Sequence, residues 1–175
     1  IQSELYDNAF VVAGDEISEF VLSGFNSFQA MSDLPCKPYS KNRTGVSLGE
    51  ATAAVLVSAE AKNAKIKVIG DSSINDANHI SGPSRTGEGL YRSILNALKE
   101  AQIDGQKLDY ISAHGTATPF NDEMEAIALN RLDLQNVPIN SLKGFYGHTL
   151  GASGLLETVI AIESSNQNMF FESKG

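Results

Sequence analysis

Apolar and polar residues follow one another in blocks that predict strands and helices in alternation. Apolar runs of strand length occupy residues 10–14, 51–57, 65–73, 108–113 and 139–142. Helical spacing of apolar residues covers residues 16–31, 86–101, 120–132 and 149–163. The first run is apolar throughout and ends at Gly14, so we expect a buried strand there. This alternation predicts an α/β fold with a mainly parallel sheet and helices on both faces.

Composition narrows the class of protein. The 175 residues are 42% apolar and 19% charged, which fits a globular chain with a sizeable core. A net charge of −8 argues against nucleic-acid binding, and no apolar run is long enough to cross a bilayer. The lone Cys36 excludes an internal disulfide and suits a reducing cytoplasm. We therefore expect a cytoplasmic protein with no nucleic-acid or membrane partner.

Two histidines follow predicted strands. His114 comes directly after residues 108–113, and His148 lies a few residues beyond 139–142. Sites in open α/β sheets form beyond the carboxyl ends of the strands, so we expect both rings in one cleft. Two imidazoles there can bind a metal, donate hydrogen bonds or transfer protons. The chain has no HExxH or CxxC pattern to supply a third ligand, so we expect no metal.

The segment after the first of these strands carries polar groups in a tight loop. Gly115 allows a sharp turn or a close approach to a ligand, and the hydroxyls of Thr116 and Thr118 can bond a polar ligand. Pro119 suits the first turn of the next helix, with Thr118 as its cap. The simpler interpretation is that His114 and the threonines only cap this helix, and the spacing alone leaves both interpretations open.

One carboxylate, Glu157, interrupts the apolar helix predicted at residues 149–163. A buried carboxylate is costly unless it is paired. Because Lys143 is the nearest basic residue in sequence, we expect a Lys143–Glu157 ion pair that holds the loop of His148. Alternatively, Glu157 lies on a narrow exposed stripe with Glu163.

The sequence contains two residues that could act as nucleophiles, but the context of neither one indicates that role. Ser153 lies in Gly-Ala-Ser-Gly-Leu, which is not the G-x-S-x-G elbow of serine hydrolases. Cys36 lies between two prolines with no histidine close in sequence, so we expect a structural cysteine in a surface loop.

The motifs together resemble those of the β-ketoacyl synthases of the thiolase superfamily. The family pattern HGTGT, followed by Gly-Asp and Glu, corresponds to residues 114–118, Asn121, Asp122 and Glu125. The family's Lys, its GHTxGAAG pattern and a downstream Glu correspond to Lys143, residues 147–154 and Glu157. Its C/R-P-F-D-xx-R-x-G segment resembles residues 36–45, and its D-A-x-H loop resembles residues 76–83. Ala51, Ala117 and Asn121 depart from its usual glycine or small residues.

The resemblance implies a thiolase-like fold with αβαβα layers, of which this chain supplies roughly the C-terminal half. Residues 1–35 would be the tail of the N-terminal half, and residues 36–175 the C-terminal half, ending before its last strands. The implied function is that of a 3-oxoacyl-[acyl-carrier-protein] synthase of fatty acid or polyketide biosynthesis. This acyltransferase joins a malonyl thioester to an acyl-enzyme, and the malonyl group loses CO2 in the reaction. The family's nucleophilic cysteine precedes the position of Ile1, so we expect no condensing activity from the chain alone.

The resemblance also implies roles for single residues. His114, His148 and Lys143 would be catalytic, the two histidines donating hydrogen bonds to the thioester oxygen. Supporting residues would be Glu157, Asp122 and Glu125. The phosphopantetheine arm would contact Thr116, Thr118 and Ser81. That arm arrives on the acyl carrier protein, so no separate cofactor is implied. The implied partners are the carrier protein and a second subunit, in a homodimer or a ketosynthase heterodimer.

Three other interpretations stay open. The chain could belong to a non-catalytic partner subunit that resembles a chain-length factor. It could belong to a thiolase-superfamily enzyme acting on coenzyme A thioesters, or to an interaction module without chemistry. The residue at the nucleophile position of the parent protein distinguishes the first of these from a ketosynthase, since Cys implies catalysis and Gln or Ala implies an inactive partner.

Overall fold

The computed structural model describes residues 1, 4–78, 82 and 84–174. Most of its strands and helices follow one another in the order that the hydrophobic pattern predicts. In order they are β1 (Asn8–Asp15), α1 (Glu19–Ser27), β2 (Ala51–Ser58), α2 (Glu88–Ala101), β3 (Ile111–Ser112), α3 (Pro119–Asn130), β4 (Ile139–Asn140), α4 (Lys143–Tyr146) and α5 (Ser153–Gln167). The predicted α/β class is confirmed. The division of the chain at residue 36 stays a prediction.

The four strands form two separate pairs. β1 and β2 run antiparallel over eight residues each, from Asn8 opposite Ser58 to Asp15 opposite Ala51. β3 and β4 run parallel, with Ile111 opposite Ile139. The expectation of a mainly parallel sheet is therefore wrong for the described residues, because their longer pair is antiparallel.

Two apolar runs behave differently from their predictions. Residues 65–73 form no strand, because this segment meets no partner strand among the described residues and a strand needs the hydrogen bonds of a neighbour. β1 forms as predicted but is not buried, since Phe10 and Val12 are 77% and 71% exposed. Side chains alternate along a strand, so these two project from the same face. Helix α5 packs against β2.

The apolar core lies between α2, α3 and the β3–β4 pair. Its buried members are Leu129, Leu134 and Val137. Partly buried side chains packed against them are Ile94, Leu108, Ile111, Leu132 and Ile139. Because Ile111 and Ile139 belong to the parallel strands, this core fixes the two strand ends from which the histidine-bearing loops leave.

Candidate active site

Parallel strands deliver the two polar loops to the same edge of a sheet. β3 ends at Ser112, two residues before His114, and the amide of Ala113 still donates to the carbonyl of Asn140 over 2.8 Å. β4 is followed by the short helix α4 and then by His148, whose amide donates to the carbonyl of Ser47 over 2.7 Å. The β3–β4 pairing thus places the starts of both loops next to each other, and Ser47 anchors the main chain of His148.

The two imidazole rings lie together, as the strand-end argument predicts. The ring centroids of His114 and His148 are 5.0 Å apart, and the rings are nearly perpendicular at 84°. His114 is exposed and His148 is half-buried. A small polar group of a ligand is therefore within reach of both rings at once.

Lys143 links the first ring to the helix behind it. Its side chain is fully buried, with 0% exposure. Its Nζ atom donates to the carbonyl of His114 over 2.6 Å and lies 3.5 Å from Nδ1 of the same residue. It also forms an ion pair with Glu157, whose side chain is 15% exposed. The predicted Lys143–Glu157 pair is confirmed, and the alternative of an exposed glutamate stripe is wrong for Glu157.

Hydrogen-bond donors decide where each ring carries its proton. An ammonium group can only donate, so Lys143 favours an unprotonated Nδ1 on His114. The amide of Leu150 donates to Nδ1 of His148 over 3.2 Å. A neutral imidazole has one N–H, so both rings carry it on Nε2, which makes that nitrogen a donor.

Local charges and burial keep both rings neutral. Although part of the His114 side chain reaches solvent, desolvation of its ring by the surrounding protein, and then the Lys143 ammonium, lower its pKa to about 4. Burial, then Lys143 and then His114, lower the pKa of His148 to about 4. Burial raises the pKa of Glu157, while the hydrogen bond from Lys143 opposes that rise. At neutral pH both imidazoles of the site are therefore uncharged.

Two buried carboxylates on α3 hold the loop of His114 by its main chain. Glu125 accepts the amides of His114 and Gly115 over 2.8 and 2.9 Å. Asp122 accepts the amides of Thr116 and Ala117 over 3.0 and 3.1 Å. Asp122 and Glu125 are 2% and 5% exposed, so these four bonds are shielded from water. The supporting role expected of both residues corresponds to these contacts.

The loop also shows strained and closely packed backbone. Gly115 has φ of 37°, and a Cβ there would lie 2.5 Å from Cβ of Ser141. Ala117 has φ of 63° although it is not glycine, and it is fully buried. The turn predicted at Gly115 is confirmed, and Ala117 occupies the left-handed region where glycine is usual.

The threonines of this loop face each other. The hydroxyls of Thr116 and Thr118 are 2.8 Å apart. Thr118 stands at the N-cap position of α3 and Pro119 begins the helix, but the Thr118 side chain makes no capping hydrogen bond and contacts Thr116 instead. The expected cap is wrong in that respect. Ser81, the third residue expected to bind phosphopantetheine, lies outside the described residues.

Cys36 is not in a surface loop. It is 2% exposed, and its thiol donates to the carbonyl of Lys143 over 3.2 Å. The expectation of a surface position is wrong, because the segment packs against α4.

No group of three His, Cys, Asp or Glu side chains in the described part of the chain lies close enough to hold a metal ion. No helix among those residues is long and apolar enough to cross a membrane.

Sequence reasoning missed two residues of the site. Tyr39 donates its hydroxyl to Glu125 over 2.6 Å and its amide to Asp122 over 2.8 Å. Ser141 donates to the carbonyl of Gly115 over 2.7 Å. A signal existed for Tyr39, since it stands where the family segment quoted above has Phe, and a hydroxyl in a buried position calls for a partner.

Residues 64–172, more than half of the chain, match the family described as beta-ketoacyl synthase, C-terminal domain. The chain belongs to the β-ketoacyl synthase family.

Individual relatives agree with this. The chain is 36% identical to 3-oxoacyl-[acyl-carrier-protein] synthase 2 of Coxiella burnetii (strain RSA 493 / Nine Mile phase I), in an alignment that covers 92% of this chain and 43% of that protein. Its fold matches a chain of the complex of a ketosynthase (ApeO) with its chain length factor (ApeC) from Xenorhabdus doucetiae, with a TM-score of 0.90, 34% identity, and coverage of 96% of this chain and 42% of that one. It also matches a beta-ketoacyl synthase from Burkholderia phymatum STM815, with a TM-score of 0.87, 29% identity, and coverage of 95% and 43%. The chain thus spans less than half the length of the relatives it matches.

Proposed function

We propose that this chain is part of a 3-oxoacyl-[acyl-carrier-protein] synthase, an acyltransferase that condenses a malonyl thioester with an acyl-enzyme. The observation that carries this proposal is the His114–His148 pair, with ring centroids 5.0 Å apart and a donor against Nδ1 of each ring. Two neutral imidazoles with their protons on Nε2 form a preorganised pair of donors. Such donors suit an oxygen on which negative charge develops during the reaction.

The reaction needs those donors at its decarboxylation step. The bond between the carboxylate carbon and the α-carbon of the malonyl thioester breaks, CO2 leaves, and the electron pair passes into an enolate. The negative charge collects on the thioester oxygen, where His114 and His148 would donate. The α-carbon then attacks the carbonyl of an acyl-enzyme, and the cysteine thiolate of the parent protein leaves.

Lys143 would act on this step through the first ring. Its ammonium contacts both the carbonyl and Nδ1 of His114. It therefore fixes the position of the ring and keeps the proton on Nε2, while Glu157 balances its charge. Thr118 is half-buried whereas Thr116 is buried, so Thr118 is the more accessible hydroxyl for a phosphopantetheine arm.

The proposed reaction implies two partners. The carrier protein would bring both thioesters, and a second synthase subunit would complete a homodimer or heterodimer. The cytoplasmic location remains part of the proposal. Cys36 is buried with its thiol bonded to a main-chain carbonyl, so the chain alone should not condense thioesters.

The test is decarboxylation of malonyl-acyl-carrier protein by the full-length protein, measured as CO2 release. His114→Ala and His148→Ala should each lower the rate by roughly 100- to 1,000-fold, the usual effect of removing one donor to a developing oxyanion. Arg92→Ala is a control, because that side chain is 64% exposed and its ion pair is with Glu88 on the same helix. Full-length protein that binds the carrier protein without decarboxylation or condensation would favour the non-catalytic partner subunit instead.

A further inference from the structure

Ser153 stands where the family pattern GHTxGAAG has its second alanine. Its hydroxyl oxygen lies 2.8 Å from Nδ1 of His148. The residue is only 3% exposed, so water does not compete for this contact. Ser153 is also the first residue of α5, and the helix holds its hydroxyl beside the ring.

The direction of this hydrogen bond follows from its neighbours. The amide of Leu150 already donates to Nδ1 of His148, so that nitrogen presents a lone pair. The Ser153 hydroxyl, the closer of the two groups, must therefore donate as well. Its oxygen lies 3.2 Å from the hydroxyl of the fully buried Thr149 and is free to accept from it. The result is a buried relay from Thr149 through Ser153 to His148.

We propose that Ser153 is a positioning residue whose hydroxyl donates to Nδ1 of His148 and thereby holds the ring neutral with its proton on Nε2. A proton on Nδ1 would face the Leu150 amide, which can only donate, and would force the Ser153 hydroxyl to accept from the ring and to donate to Thr149 instead. The role of Ser153 in catalysis rests on the proposed function. Its effect on the protonation state of the His148 ring does not depend on that function.

Other groups near the ring act in the same direction and must be separated from Ser153. Among the described residues, Lys143 and His114 act electrostatically on His148, and after burial they lower its pKa to about 4. Neither contacts Ser153 in any described hydrogen bond. A Ser153 substitution therefore leaves them in place and changes one donor.

The experiment is NMR of the full-length protein labelled with ¹⁵N-histidine, titrated with pH without substrate. Ser153→Ala should raise the pKa of His148 by roughly 0.5 to 1, the effect expected from one lost hydrogen bond to the neutral ring. The Nδ1 and Nε2 shifts should also show a larger share of Nδ1–H. Ser153→Thr, which keeps a hydroxyl, should restore the wild-type values. Ser164→Ala is a matched control, because Ser164 is also buried on α5 but donates to the carbonyl of Met169.

Two results would overturn the inference. One is a Ser153→Ala protein whose His148 pKa and ¹⁵N shifts equal those of the wild type. The other is an equal change in Ser164→Ala, which would assign the effect to the helix. Failure of the proposed function looks different: the wild type would not decarboxylate malonyl thioester, yet the Ser153→Ala shift would still be present.

Discussion

The hydroxyl of Tyr39 donates to Oε2 of Glu125 over 2.6 Å, although 86 positions separate the two residues. The same carboxylate accepts the amides of His114 and Gly115. Burial, and then the charge of Glu125, raise the pKa of Tyr39, so its hydroxyl stays a donor at neutral pH. A loop far away in sequence therefore fixes the carboxylate that positions the first histidine.

Tyr39→Phe should lower the free energy of unfolding by about 1.5–3 kcal/mol, because it removes one hydrogen bond to a buried carboxylate. Decarboxylation in the full-length protein should also fall, since Glu125 then holds the His114 loop less firmly. Thermal unfolding and CO2 release measure the two effects. Tyr6→Phe is the control, since Tyr6 is 70% exposed. Equal behaviour of the two variants would contradict the proposed link.

The Lys143–Glu157 pair should behave as one unit. Lys143→Ala leaves a buried carboxylate, and Glu157→Gln leaves a buried ammonium, so each single change should cost about 3–5 kcal/mol of stability. The double variant should cost clearly less than the sum of the two. Chemical denaturation of the four proteins completes the cycle, and additive losses would show that the two side chains do not interact.

Stability should fall in acid because of the two histidines. The pKa values of both are lowered from 6.5 to about 4, so the unfolded chain binds more protons than the folded one between those values. The contribution of the two histidines to the free energy of unfolding is thus fully present above pH 6.5 and is lost as the pH falls toward 4. His114 is exposed, so solvent screens part of its share and His148 should contribute more.

Denaturation curves from pH 7.5 to pH 4 test this dependence. His148→Asn removes one titrating ring, so its stability should depend less steeply on pH below 6.5. A variant with the same slope as the wild type would show that His148 is not the group that titrates.

Gly115 should tolerate no side chain. Its φ of 37° disfavours other residues, and a Cβ would lie 2.5 Å from Cβ of Ser141. Gly115→Ala should therefore cost at least about 2 kcal/mol. Gly24→Ala is the matched control, because Gly24 lies inside α1 and a Cβ there meets nothing within 4 Å. That change should stabilise the protein by about 0.5–1 kcal/mol, and thermal unfolding compares the two.

The order of elements was predictable because local pattern determines it. The amphipathic run at residues 86–101 became α2 (Glu88–Ala101), and the pairing of Lys143 with Glu157 followed from the cost of an unpaired charge. Residues 65–73 failed as a strand because strand formation depends on a partner elsewhere in the chain. The exposed position of Phe10 was equally unpredictable, since an apolar run does not show whether another element of the fold packs against it.

The site was predictable at its histidines and at the Lys143–Glu157 pair, and not at Tyr39 or Ser141. His114 and His148 each follow a strand, and parallel strand ends meet at one edge. The contact of Tyr39 with Glu125 joins segments 86 positions apart, and no local pattern encodes it. Ser153 and His148 are close in sequence, but the direction of their hydrogen bond depends on the Leu150 amide, which donates to the same ring nitrogen.

The two α3 carboxylates that bind the His114 loop are close to it in sequence. Glu125 reaches Gly115 across 10 positions, and Asp122 reaches Thr116 across 6. The β1–β2 pair, in contrast, must close all of the chain between Asp15 and Ala51 before its first bond forms. Loop closure costs more entropy for longer loops, and non-local pairing slows folding. The histidine loop should therefore take shape in an early folding unit, with the long antiparallel pair joining afterwards.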